Sequence, residues 1–305
     1  MLHTVAKLHY EAELSQVSIA RQLGVSTATI SRLLQRARAE GIVRIEVRDL
    51  IAPDTLSVRI AQKLKLRKVS VIEAPASGVA MALAAPLGAM LKAENLGSGS
   101  VLAVGWGRAL RAVIESGLPP IPGVIVVPAT GGMQQQATHF QVNEFVRTAA
   151  EQMGGTPHFI HAPYLPSADA HPSFLADPAI RNSVALWDRI DVAIVGVGLP
   201  YALNAPEASV ATPSEQLLVT AVGDVIRHYF GTEGQPIPWE GEARMIAASP
   251  QQLRAARLCI GVAAGESKAV SIIGAARAGL ITALVTDVRS AEAILEHLGR
   301  TTSAD

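Results

Sequence analysis

Two kinds of hydrophobic pattern divide this chain. In "QVSIARQLGVSTATISRLLQR", Gln16 to Arg36, apolar residues recur at helical spacing in two short blocks. Ile19, Ala20 and Leu23 share one face of the first block; Ile30, Leu33, Leu34 and Ala37 share one side of the second. Gly24 stands between them, where a helix end needs a residue that tolerates left-handed backbone angles. Ser26 is placed to cap the second helix through its hydroxyl. Two short helices joined by a tight turn, with small Ala20 allowing close approach, form a helix-turn-helix pattern. After Gly41, "IVRIEVRDL" alternates apolar and polar residues and predicts a short strand, one edge of a wing. Pro53 breaks the chain, and Leu56, Ile60 and Leu64 then form the stripe of a connecting helix, capped by Asp54 or Thr55.

From Val69 the pattern changes. Unalternating apolar runs ("VSVIEA", "SVLAVGWG", "GVIVVPATGG", "HFIHAP", "DVAIVGVG", "LCIGVAAG", "ALVTD") are separated by helical segments. These include helices over 78–94, 143–152 and 177–187, the first with Pro86 inside it to kink or break it. Buried strands alternating with helices predict an α/β fold, a mostly parallel sheet covered on both faces. "GDVIRHYFGTEGQPIPW" differs: it predicts a hairpin with glycine-containing turns, inserted into the main sheet. "TPSE" at Thr212 and "SPQQ" at Ser249 read as capping boxes and nothing more. The expected organisation is a helix-turn-helix domain over 1–52, a linker helix over 53–68 and an effector domain over 69–305.

Composition narrows the class. The 305 residues contain no apolar run long enough for a membrane span, and the first residues lack the blocks of a signal peptide, so a cytoplasmic protein with no membrane partner is expected. One cysteine, Cys259, excludes an intrachain disulfide and reads as a small buried hydrophobe in "LCIGV". The net charge is zero but unevenly spread. Residues 1–68 hold 12 Lys/Arg and 6 Asp/Glu, a balance of +6, and residues 69–305 balance it at −6.

A basic module on an acidic body fits an electrostatic contact with phosphates. In a helix-turn-helix the second helix enters the major groove with its N-terminal residues on base edges. The residues expected to face DNA are Ser26, Thr27, Ala28, Ser31, Arg32, Gln35 and Arg36. Thr27 and Ser31 are short enough to bring the helix near the bases, and Arg32 and Gln35 can form bidentate contacts to guanine and adenine. Lys7, Arg36, Arg38 and Arg44 are candidates for phosphate contacts.

In the body, "VGWGRAL", "ATGG", "VGVG" and "VAAGESKA" each put glycine at a strand's C-terminal end, where open α/β sheets bind ligands. Arg108 and Lys268 follow two of these loops, which points to a small anionic or polyhydroxylated ligand. No Walker A loop or dinucleotide fingerprint occurs. His158 and His161, three apart on an expected strand, would face opposite ways, poor geometry for a shared metal. Neither cofactor nor metal is expected.

Several of these stretches together resemble the SorC/DeoR-type sugar-binding transcriptional regulators over nearly the whole chain. They are "SIARQLGVSTATISRLLQRARAEGIVRIEV", "VGWGRAL", "PATGG", "QVNEFVRTAA", "DVAIVGVG", "AVGDVIRHYF" and "GESKAVSIIGAARAGLITALVTDVRSAEAIL". The resemblance implies a Rossmann-like effector domain similar to glucosamine-6-phosphate deaminase and ribose-5-phosphate isomerase. It also implies a sugar, polyol or sugar-phosphate effector, operator DNA, and a homo-oligomer, dimer or tetramer. Carried over by motif, the effector residues are Gly107 and Arg108, then Thr130, Gly131 and Gly132, then Gln141 and Asn143, then Gly196 and Gly198, then Asp224 and Lys268. Asp224 is suited to accept sugar hydroxyls, and Lys268 is a point charge for a phosphate or carboxylate. Trp106 stands where other members carry Thr or Ser for phosphate; it either stacks on a sugar face or packs under its loop. "APYLPS" lacks the lysine with which some members form a Schiff base, which argues against covalent capture. The expected function is a regulator of a carbohydrate-metabolism operon. The alternative is a sugar-phosphate isomerase or deaminase, with Asp224 as acid/base, carrying an appended helical domain.

Overall fold

The computed structural model describes residues 1–43, 53–75, 78–133, 141–199 and 212–301. The expected wing strand and Arg44 lie outside the described residues. The chain divides into two compact units, Met1–Ile51 and Ala52–Asp305.

The first unit has three described helices: α1 (Leu2–Tyr10), α2 (Gln16–Leu23) and α3 (Thr27–Ala39). Val5, Ile19, Ala20, Ile30 and Leu34 form its core. The punctuation between α2 and α3 follows the sequence. Gly24 takes left-handed angles (φ 66°, ψ 29°) while its N–H donates to the Ala20 carbonyl, and Ser26 Oγ accepts from the Thr29 N–H at 3.1 Å. Helix α1 went unread because no side chain caps its start. Its buried residues, Val5 and Ala6, reveal themselves only by packing, α1 lying against α3.

The second unit is built on a seven-stranded parallel sheet. Its strands are β1 (Lys68–Ile72), β2 (Val101–Val104), β3 (Ile125–Pro128), β4 (Thr156–Pro157), β5 (Val192–Gly196), β8 (Leu258–Val262) and β9 (Ala283–Asp287). They lie in the order β1-β9-β8-β5-β2-β3-β4. Alternate strand residues, among them Leu102, Val104, Val126, Val192, Ile194, Ile260 and Val285, send one row of side chains into a single core. The same core takes Leu87 and Leu91 from α6 (Ala84–Ala93), Leu110 and Val113 from α7 (Arg108–Ser116), and Phe145 and Val146 from α8 (Val142–Met153). The expected linker helix is α4 (Pro53–Leu64); it belongs to this unit and buries Leu56, Ile60 and Leu64 against it. Ser57 of α4 ties down β1 by accepting the Val71 N–H at 3.0 Å.

Local reading and structure part company at four places. The helix expected over 78–94 is two, α5 (Val79–Ala82) and α6, broken at Leu83. Pro86 accounts for this, since it has no N–H for the Ala82 carbonyl and its ring crowds that oxygen. The helix expected over 177–187 becomes α10 (Pro178–Val184) and a 3-10 turn, preceded by α9 (His171–Ala176). In "HFIHAP" the pairing ends at Pro157, so His158 and His161 are not on a strand at all; the His158 N–H still donates to the Val126 carbonyl at 2.8 Å. The hairpin, β6 (Gly223–Val225) and β7 (His228–Phe230), is not in the main sheet but forms a separate antiparallel ribbon. Its turn carries no glycine: Ile226 (φ 43°) and Arg227 (φ 70°) occupy it. Both capping boxes are present, one opening α11 (Pro213–Gln216) and one opening α12 (Pro250–Ala255).

Candidate functional site

The DNA-facing candidates lie together. Ser26, capping α3, and Thr27, Ala28, Ser31, Arg32, Gln35 and Arg36 on it are all exposed, opposite the buried Ile30, Leu34 and Ala37. Arg36 is engaged on its own helix, its Nε donating to Glu40 at 2.6 Å. Lys7 faces Glu11 at 3.6 Å, and such exposed pairs hold their partners loosely.

In the second unit the strand order sets the site. From β2 the chain steps outward to β3 and β4, then returns to the other side of β2 at β5 and continues to β8 and β9. The order therefore reverses between β2 and β5, and the crevice beyond their C-terminal ends is where such sheets bind ligands. The loop Gly105–Gly107 leaves β2 there and Gly196–Gly198 leaves β5. The two loops touch: the Gly105 N–H donates to the Ile194 carbonyl, and a Cβ on Gly196 would stand 2.9 Å from the Trp106 carbonyl.

Gly198 then meets the hairpin. Its N–H donates to the Asp224 carbonyl at 2.8 Å, and a Cβ at 198 would collide with Oδ1 of Asp224. The missing side chain makes room for a carboxylate of the protein itself. Asp224 is buried, 6% exposed, and its Oδ2 accepts the Arg227 N–H at 2.9 Å. Burial pushes its carboxyl above the usual carboxylate range, against the pull of Arg227 and Lys268. Lys268, in the segment after β8, donates from Nζ to the Val197 carbonyl at 2.6 Å. Burial lowers the Lys268 ammonium to about 8, opposed by Asp224 and assisted by Arg108. Arg108 is exposed at the start of α7, directly after Gly107, whose φ is 135°.

Four of the remaining sequence candidates make contacts with the framework. The Gly131 N–H donates to the Ile246 carbonyl and the Gly132 N–H to the Ala162 carbonyl, so both are already used. Thr130 is buried, its hydroxyl directed at Ile246 O. Asn143 is tied twice to Ile160: Nδ2 donates to its carbonyl at 3.1 Å and Oδ1 accepts its N–H at 3.3 Å. Gln141 is exposed just before α8.

Sequence reading missed the polar cluster behind Asp224. Glu215, 1% exposed, gathers four groups from three segments. It accepts the Thr212 N–H at 2.6 Å, the Tyr229 hydroxyl at 2.9 Å and the Tyr164 hydroxyl at 3.4 Å, and faces Arg227 NH1 at 3.5 Å. Arg227 also donates to the Tyr229 hydroxyl at 3.0 Å and stacks 5.1 Å from the Trp106 ring centre and 5.8 Å from that of Tyr164. Burial opposes the Arg227 charge, but Tyr229, Asp224 and Glu215 outweigh it and hold the guanidinium protonated. Burial and the Glu215 charge push the Tyr164 hydroxyl up to about 12. The available signal was an arginine inside the otherwise apolar "VIRHYF", together with the acid of "TPSE".

Residues 48–296 match the family described as "Putative sugar-binding domain", and residues 8–44 match "Winged helix-turn-helix DNA-binding". The chain is 31% identical over 313 residues to the sorbitol operon regulator of Klebsiella pneumoniae, covering 96% of each. It belongs to the SorC family of sugar-binding transcriptional regulators. Another relative is the deoxyribonucleoside regulator of Bacillus subtilis, 28% identical over 309 residues and 96% of each chain. The crystal structure of full-length SorC from Klebsiella pneumoniae superposes with a TM-score of 0.73 at 30% identity, covering 96% of this chain and 98% of that one. Membership assigns the two halves their classes: DNA for the first unit and a small-molecule effector for the second. Among the described residues no helix is long and apolar enough to cross a membrane.

Proposed function

We propose that this SorC-family chain regulates a carbohydrate-metabolism operon through an effector bound between Asp224 and Lys268. The observation that carries the reading is the convergence of a buried carboxylate and a half-buried amine at the reversal point of the sheet. Asp224 receives effector hydroxyls, Lys268 donates to an effector oxygen, and Gly107 and Arg108 line the mouth. Gly196 and Gly198 shape the floor, while Thr130, Gly131, Gly132, Gln141 and Asn143 support it. On the other unit, Arg32 and Gln35 read bases, Ser26, Thr27, Ala28 and Ser31 allow close approach, and Arg36 meets phosphate. The chain works in the cytoplasm as a homodimer or tetramer, and its body senses rather than catalyses.

Effector binding must favour one arrangement of the oligomer over another for DNA affinity to change. The test is DNA binding by the purified protein, using DNA upstream of its own and neighbouring genes, with and without sugars, polyols and their phosphates. One compound class is expected to shift specific binding. Turnover of pentose or hexosamine phosphates, with no specific DNA binding, would replace this reading with the enzyme one.

A further inference from the structure

Arg227 stands out among the buried groups. It occupies a two-residue hairpin turn in which both residues have positive φ, a geometry normally given to Asn and Gly. Ile226 is β-branched, the residue class least suited to such angles. Backbone held in this way persists only where the surroundings enforce it. Here the enforcement comes from the Arg227 side chain and N–H. The N–H bonds Asp224, NH1 bonds Tyr229 and faces Glu215, and the guanidinium lies against Trp106 and Tyr164. Its Nε is buried with no hydrogen-bond partner among the described residues. Arg227 is only 6% exposed, so it acts from inside the wall of the crevice.

We propose that Arg227 is the positioning residue of the effector site: it balances the Asp224 and Glu215 carboxylates from behind, backs the Trp106 ring, and so leaves Asp224 fixed and ready to receive the vicinal hydroxyls of a sugar or polyol. This rests on the effector reading above. Two buried carboxylates beside one another need a cation: the guanidinium faces Glu215 at 3.5 Å and its charge also favours an ionised Asp224, whose Oδ2 separately accepts the Arg227 backbone N–H. Lys268 is the other cation acting on Asp224, and burial leaves it easily neutralised. Tyr229 and Tyr164 also feel the Asp224 charge.

The test uses the full-length protein with R227K, R227Q and R227G, each alone and combined with D224N. R227G removes the strained side chain and suits the left-handed turn, so it separates backbone from charge. The first arm needs no ligand: unfolding midpoints from pH 5 to pH 8. The Asp224 carboxyl already sits above its unfolded value, so ionising it costs native stability as pH rises. Without Arg227 that cost grows. The deficit of R227Q and R227G against the parent should therefore widen towards pH 8, shrink when D224N is added, and largely vanish in R227K. A deficit that is flat with pH and indifferent to D224N overturns the proposal. The second arm is calorimetry with D-sorbitol, D-sorbitol 6-phosphate and D-ribose, all of which carry vicinal hydroxyls; the first two separate a free polyol from the same hydroxyls on a phosphate. Whichever binds the parent should lose about tenfold or more in R227Q and R227G, as expected for losing a charged hydrogen bond, and recover in R227K. Equal binding by R227Q overturns the proposal. If none of the three binds the parent, this choice of effector class fails, and the ligand-free arm alone decides Arg227.

Discussion

Helix α3 and the cluster behind Asp224 hold their polar groups in opposite ways. On α3 the candidate side chains are exposed and lie within ten residues of one another, their positions dictated by the three buried residues opposite. Behind Asp224 the polar groups are buried and come from Tyr164, Glu215, Arg227 and Tyr229, brought together only by the hairpin and α11. An exposed face tolerates change because water replaces what is lost. A buried charge cluster does not, because each member compensates another. Substitutions on α3 should therefore alter function with little effect on folding, and substitutions in the cluster should alter both.

The sharpest way to break this contrast is Glu215→Ala. It strands Arg227 and leaves two tyrosine hydroxyls and the Thr212 N–H without an acceptor. The expected loss, measured by urea unfolding, is about 3–5 kcal/mol, the range for breaking a buried ion pair. A loss as small as a surface substitution would mean the cluster is solvated after all. On the other side, Arg32→Ala should weaken specific DNA binding by about 1–3 kcal/mol at fixed salt. Its unfolding midpoint and effector affinity should match the parent; equal loss of effector binding would argue against separate functions for the two units.

Lys268 sharpens the comparison through pH. Its folded pKa, about 8, lies below the unfolded lysine value, so between those limits the unfolded chain holds the extra proton and stability rises with pH. Lys268→Met should abolish that rise and weaken the effector response while sparing DNA binding. An unaltered response would remove Lys268 from the site. The smallest effect expected is Ser26→Ala, which removes the cap bond to Thr29 and should cost about 1 kcal/mol. That cost should appear in the first unit alone, as faster amide exchange in α3.

Much of the fold was legible. The α2 and α3 helices, their glycine and serine punctuation, both capping boxes and the run of buried parallel strands follow from spacing and residue type. Asp224 and Lys268, far apart in the chain, are also close enough in the fold for each to feel the other's charge. The loop glycines lie at the expected strand ends, and the fold adds what their backbones do there. Gly131 and Gly132 give their N–H groups to Ile246 and Ala162, and Gly198 yields space to Asp224. Spacing along a strand end says nothing about which carbonyl from elsewhere will occupy the donor.

Period and punctuation are local properties, because they arise from backbone angles and the nearest few side chains. They settled the helix-turn-helix, the α/β class and the position of the loops. The pairing of charges is a long-range property. Glu215 reads locally as the third residue of a capping box, and it fills that role. Only the hairpin, bringing Arg227 and Tyr229 to the same carboxylate, makes it the hub of the buried cluster. Burial decides the difference: in water these groups would each be hydrated alone, and inside the fold each must find another.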